Sequence, residues 1–126
     1  MSTIKVDTIK NTSNVEVFTC KAWVNFDGTQ TAGNMIRGSG NVTSITDNGT
    51  GNYTVNFATA MADANYQVSM SSVSYFSTNL STFAFIRAGS SATTANQKTT
   101  TQLNVMYGSN VGTYYDCAEM NIAIFR

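Results

Sequence analysis

The amino-acid sequence predicts an all-β protein: a single antiparallel β-sandwich or jelly-roll-like domain with an extended N-terminal segment. Short runs of alternating apolar and polar residues recur along most of the 126 residues, separated by clusters of Gly, Asn, Ser and Thr. The chain contains no proline. Only residues 58–64 compete for a helix, and a single helical turn is too short to stand alone.

The clearest element is a β-hairpin within residues 41–68. Residues 53–57 read YTVNF, in which large apolar residues alternate with polar ones. This period indicates a strand with one buried and one solvated face. The preceding loop, residues 47–52, contains Asn48-Gly49. Both residue types tolerate the positive φ of the primed turns that join hairpin strands, so we expect a primed turn at this dipeptide.

The same alternation predicts the other strands in order. Before the hairpin they are residues 4–9, 15–18, 21–26 and 35–37, and the turns between them are residues 11–14, 27–29 and 38–40. After the hairpin the predicted strands are residues 66–76, 82–87, 100–107 and 114–125, with loops at residues 88–96 and 108–112. Turn-forming residues at each break support this division.

The chain divides into a short N-terminal segment and one domain. The N-terminal segment, residues 1–20, has few and widely spaced apolar residues, so it gains little by folding alone. We expect it to serve oligomerisation or docking, and residues 21–126 to form the sandwich. The sequence has no signal peptide pattern and no apolar run of the roughly 20 residues that cross a bilayer. We therefore expect synthesis in the cytoplasm without membrane insertion.

Charge and cysteine content exclude several classes of protein. Seven basic and seven acidic residues cancel, and charged residues make up 11% of the chain, against about 25% in ordinary domains. The basic surface of a nucleic-acid-binding protein is therefore missing. Ser, Thr and Asn instead make up more than a third of the chain. Cys20 and Cys117 form no disulfide framework, and we expect free, buried thiols.

No catalytic, cofactor or metal site is predicted. The chain has no histidine, which excludes Ser-His-Asp and Cys-His sites and removes the commonest transition-metal ligand. Asp116 and Glu119, the closest acidic pair, would point to opposite faces of a strand. The loop at residues 47–52 resembles a calcium loop, but Ala58 stands where an EF-hand needs glutamate. Residues 38–40 lack the lysine of a phosphate-binding loop. Both segments are predicted to be turns.

Aromatic residues are the remaining candidates for a functional surface. Trp23 shares a strand face with Lys21 and Asn25, opposite an apolar face. A Trp among polar residues indicates an interface or a sugar-binding platform, unless both faces of the sheet are buried there. In each pair of adjacent aromatic residues, one ring must point away from the core. The predicted contact residues are Trp23, Tyr75, Phe76, Tyr107, Tyr114 and Tyr115.

Part of the sequence resembles a known family. Residues 45–57 (ITDNGTGNYTVNF) and 60–66 (AMADANY) resemble a motif of bacteriophage tail-fibre-like proteins, virion appendages found especially in marine and cyanobacterial phages. Residues 21–29 and 4–11 look like the same family. The resemblance covers roughly the first half of the chain, and Ala62 departs from it because a proline is expected in that turn.

The resemblance implies a virion component, often a homotrimer, with a β-rich module exposed on the particle. It transfers no catalytic residue and no receptor site. We therefore expect a non-enzymatic structural protein, a tail-fibre or appendage module that adheres to the host surface by multivalent contacts. Its expected partners are other virion proteins and host surface polysaccharide, with specificity in residues 76–115. Two alternatives are a capsid decoration or head-fibre protein and a spike-type glycan-cleaving enzyme.

Overall fold

The computed structural model describes residues 2–15, 17–73, 81–86 and 97–126. These residues form no helix, including at 58–64, where bends replace the predicted helical turn. They form eight strands: β1 (Cys20–Phe26), β2 (Ile36–Gly40), β3 (Val42–Asp47), β4 (Asn52–Phe57), β5 (Gln67–Ser72), β6 (Thr82–Ile86), β7 (Gln102–Ser109) and β8 (Met120–Phe125). The predicted loop at residues 88–96 lies outside the described part of the chain.

The strands form two antiparallel sheets of four strands each, in the orders β2-β1-β8-β5 and β3-β4-β7-β6. This arrangement confirms the predicted all-β fold and is consistent with a β-sandwich. Alternate residues of both sheets meet in one core. The largest fully buried side chains in that core are Tyr53, Tyr66, Tyr107, Phe26, Met35, Leu103, Met120 and Ile124.

The hairpin is formed by β3 and β4, as predicted, but its turn is of a different kind. Gly49 (φ 117°) and Gly51 (φ 65°) have positive φ, whereas Asn48 does not. The backbone N–H of Gly51 donates to Asp116 Oδ1 at 2.9 Å. A Cβ atom at Gly51 would overlap the backbone oxygen of Tyr107. The loop therefore closes over four residues against the body of the domain, and not as a two-residue primed turn at Asn48-Gly49.

The turn predicted at residues 38–40 is wrong, because these residues belong to strand β2. The chain reverses at Asn41, which adopts a positive φ of 55°. Its side-chain amide donates to the backbone oxygens of Lys21 at 3.0 Å and of Thr59 at 3.1 Å. These bonds fix the passage from β2 in one sheet to β3 in the other.

The N-terminal segment contains a turn but neither of its two predicted strands. Asn11 Oδ1 accepts hydrogen bonds from the backbone N–H groups of Ser13 and Val15, which confirms the turn at residues 11–14. The backbone N–H of Val17 donates to Ile9 O at 2.7 Å. A two-stranded ribbon is marginally stable alone, and the part of the chain that the structure describes provides no third strand beside it.

Candidate functional site

Trp23 lies on the outer face of the first sheet. Its neighbours Ala22 and Val24 point into the core, whereas Trp23 is 47% exposed. One face of β1 is therefore buried and the other is partly exposed in the single chain. The interpretation that both faces are buried at Trp23 is wrong. An interface and a sugar-binding platform remain as interpretations of this ring.

Two glycines position the indole ring. In the β1–β2 pairing Trp23 lies opposite Gly40, and Asn25 lies opposite Gly38. A Cβ atom at Gly40 would overlap Trp23 Nε1 and lie 2.8 Å from Cδ1, and one at Gly38 would lie 3.3 Å from Cη2. The ring thus lies lengthwise over β2, where only glycine leaves it room. This contact explains why a Gly-Ser-Gly sequence occurs in a strand.

A groove of about 360 Å³ adjoins the indole ring on this face. Small residues of β8 and β5 form its floor, because Ala123 pairs with both Trp23 and Ser69 in the sheet. None of the described residues that line the groove is charged. The outward-facing residues among them are named the Trp surface: Trp23, Asn25, Ser69, Ser71, Asn121 and Ala123.

A chain of hydrogen bonds orients the amides of the Trp surface. Asn25 Nδ2 donates to Asn121 Oδ1, and Asn121 Nδ2 donates to Glu119 Oε1 at 3.1 Å. Arg37 then donates to Glu119 Oε2 at 3.3 Å and to Asp27 Oδ2 at 2.8 Å. Each amide keeps a further N–H for a ligand. The groups that hold these amides lie at the edge of the groove.

Asp27 anchors the far end of this chain of bonds. Its Oδ1 accepts the Thr29 hydroxyl at 2.6 Å and the Thr29 backbone N–H at 2.9 Å. The pKa of Asp27 is lowered, mainly by the hydrogen bond that its carboxylate accepts from the Thr29 hydroxyl. The positive charge of Arg37 lowers this pKa further. Asp27 therefore stays ionised at neutral pH and keeps its partner Arg37 in place.

The outer face of the second sheet carries a different group of residues. Phe83 and Phe85 have ring centroids 5.6 Å apart, and their neighbour Ala84 packs towards the core. Tyr114 covers Gly108, because a Cβ atom there would lie 2.9 Å from Tyr114 Cδ1. Phe83 and Tyr114 are each 45% exposed. This patch is named the aromatic surface, and none of the described residues that form it is charged: Phe83, Phe85, Met106, Gly108 and Tyr114.

The structure separates the predicted contact residues from one another. Trp23 and Tyr114 are exposed on opposite outer faces of the sandwich. Tyr115 is partly buried against the core, so one ring of this adjacent pair points outward, as predicted. Tyr75 and Phe76 lie outside the described residues.

The prediction that Tyr107 is a contact residue is wrong, because its side chain is fully buried. Its hydroxyl donates to Val73 O at 3.2 Å and lies 2.7 Å from Thr82 Oγ1. The cause is visible in the sequence. Tyr107 follows Leu103 and Val105 at intervals of two, so it shares their inward face.

Asp116 and Glu119, the acidic residues closest to each other in sequence, both bind other residues of the chain. Asp116 precedes β8 and is not on a strand, so the opposite-face argument does not apply to it. Its Oδ1 accepts the Tyr53 hydroxyl at 2.9 Å as well as the Gly51 amide. Burial, followed by this hydrogen bond, raises the pKa of Tyr53. Glu119 pairs with Arg37 at 3.3 Å.

Both cysteines are free, as predicted, but only Cys117 is buried. Burial raises the pKa of the Cys117 thiol. Cys20 is exposed at the start of β1. Within the described ranges no three Cys, Asp or Glu side chains are grouped so as to hold a metal ion. No helix in these same ranges is long and apolar enough to cross a membrane.

No protein-family model, curated protein or solved structure matches this chain. Sequence reasoning missed Asn121 as part of the Trp surface, and it missed Gly38 and Gly40 as the residues that leave room for the indole ring. A Gly-x-Gly repeat with the period of a strand was the available signal for the two glycines. Asn121 is brought beside Asn25 only by the pairing of β1 with β8.

Proposed function

We propose that this protein is a non-enzymatic component of a bacteriophage virion, a tail-fibre or appendage module that adheres to polysaccharide on the host surface. The Trp surface makes the contact. The observation that carries the proposal is the half-exposed Trp23 ring, held over Gly38 and Gly40 beside an uncharged groove. The resemblance of residues 45–66 to tail-fibre-like proteins supports the assignment to a virion.

The groups on the Trp surface suit a neutral saccharide. The indole face packs against the C–H groups of a sugar ring, and its N–H is a polar donor. Asn25 and Asn121 offer amide hydrogen bonds to hydroxyl groups, and the hydroxyls of Ser69 and Ser71 act as donors and acceptors. None of the described residues that line the groove is charged, and Arg37 at its edge is already paired with Asp27 and Glu119.

A single shallow site of this kind binds weakly. Firm attachment requires several sites on one rigid assembly, because linked sites act at a high effective concentration. We therefore also propose a homo-oligomer, most simply a trimer, held together in part by the N-terminal segment.

Trp23 is the single tryptophan of the chain, so its fluorescence reports directly on the Trp surface. Titration with neutral bacterial polysaccharides should change this emission. Calorimetry should show Trp23→Ala binding at least about tenfold more weakly, as expected for a central aromatic contact. Tyr114→Ala is the matched control and should bind a short soluble oligosaccharide with unchanged affinity, because that measurement does not depend on linked sites. The proposal fails if the wild-type protein binds neither host cells nor any member of a panel of neutral and acidic polysaccharides.

A capsid decoration or head-fibre protein is the second candidate. It is favoured by the exposed apolar residues of the N-terminal segment, among them Ile4 and Phe18, which could dock on a capsid shell. Electron microscopy of labelled virions distinguishes the two. Density on the tail alone excludes decoration, and density on the capsid alone excludes a tail fibre.

A further inference from the structure

We propose that the aromatic surface is an interface between copies of this chain, covered by the N-terminal segment of a neighbouring copy. This inference does not depend on saccharide binding. The surface presents two half-exposed rings, Phe83 and Tyr114. Phe83 packs against Phe85 with ring centroids 5.6 Å apart, and both rings lie on the outer side of the second sheet. Aromatic side chains are enriched at the centre of protein interfaces.

The N-terminal segment has the matching property. None of its described residues, 2–15 and 17–20, belongs to the buried core. The large apolar side chains among these residues are exposed in the single chain: Ile4 by 88%, Val6 by 59%, Ile9 by 49%, Val15 by 57%, Val17 by 43% and Phe18 by 76%. A ribbon of this kind is not stable alone in water, so it requires an apolar surface to cover.

Topology favours a neighbouring copy over the same chain. The N-terminal segment joins the domain at Cys20 of β1, in the first sheet, whereas the aromatic surface is the outer side of the second sheet. The two sheets of a sandwich lie about 10 Å apart, so the segment would have to pass around its own domain. A segment that reaches an adjacent copy gives a head-to-tail contact, and three such contacts close a ring.

Disulfide trapping between two differently tagged chains tests this contact. Both chains carry Cys20→Ser, which removes the exposed native thiol. One also carries Thr8→Cys, next to Ile9, and the other carries Thr113→Cys, next to Tyr114, so the apolar side chains of the proposed contact stay in place. After co-expression and mild oxidation, mass spectrometry should find a disulfide joining the two chains. Ser69→Cys, on the Trp surface, replaces Thr113→Cys in the matched control and should give no such product. Trapping by Ser69→Cys, or only between two Thr8→Cys chains, would overturn the proposal.

Light scattering gives an independent test. The full chain should be oligomeric, and both Phe83→Ser and deletion of residues 1–18 should reduce its mass to that of a monomer. Circular dichroism confirms that each variant remains folded. A wild-type monomer at high protein concentration, or a folded Phe83→Ser protein that remains fully assembled, would contradict the assigned interface.

Discussion

The two outer faces of the sandwich use the same packing arrangement for different chemistry. On the first sheet Trp23 lies over Gly40, and on the second Tyr114 covers Gly108. In both, a strand glycine leaves room for an aromatic ring from another segment. Amides and serine hydroxyls surround the first ring, whereas phenyl groups surround the second. The neighbours of each ring, more than the ring itself, therefore determine which partner it fits.

Both outer faces are supported by one core, so both lose their arrangement when the core unfolds. Burial raises the pKa of the Tyr66 phenol to about 12, against 10 in an unfolded chain. Between these values the unfolded chain loses its proton and the folded chain keeps it, so the free energy of unfolding falls as pH rises. We expect Tyr66 to contribute a loss of about 1.4 kcal/mol by pH 11 and of roughly 2–3 kcal/mol only above pH 12, with a further loss from Tyr53.

Denaturant titrations at pH 8, 10 and 11 measure this largest effect. Saccharide binding and assembly should decline together above pH 10. Tyr66→Phe removes the share of the slope due to Tyr66 but leaves the backbone oxygens of Thr99 and Gln102 without its hydroxyl, 3.1 Å from each. Tyr114→Phe is the exposed control and should leave the pH profile unchanged. A stability that stays constant from pH 8 to 11 would contradict the role of the buried phenols.

A substitution at Gly40 should have a smaller effect, and it should change saccharide binding without changing assembly. Gly40→Ala displaces the indole ring and should weaken saccharide binding about tenfold, while assembly stays unchanged. Stability should change by less than about 1 kcal/mol, because alanine is no worse than glycine in a strand interior. Gly38→Ala makes a looser contact of 3.3 Å and should have a weaker effect. Equal binding by wild type and Gly40→Ala would show that the position of the ring does not matter.

Local alternation predicted the fold but not all of its contacts. β4, β7 and β8 were predictable because one face of each is fully apolar over several residues. Residues 4–9 alternate equally well yet form no strand, since a strand also needs a partner that alternation does not reveal. The strand at Gly38 was missed for the converse reason, because its glycines lie under Trp23, a contact with another strand that local alternation does not reveal.

The candidate site was predictable only in part. The position of Trp23 on a polar face followed from strand period alone. Strand period places Phe83 and Phe85 on one face of residues 82–87, but it does not show which face meets the core. Asn121 entered the site through the pairing of β8 with β1, which is a property of the topology.

The most direct test of functional separation between the faces is the saccharide affinity of Phe83→Ser. We predict that monomeric Phe83→Ser binds a short soluble oligosaccharide with the dissociation constant of the wild type, measured by Trp23 fluorescence. The same variant should lose firm attachment to a polysaccharide-coated surface, because its sites are no longer linked. A folded Phe83→Ser protein that loses affinity for the short oligosaccharide would show that the two faces form one site, and would contradict this account.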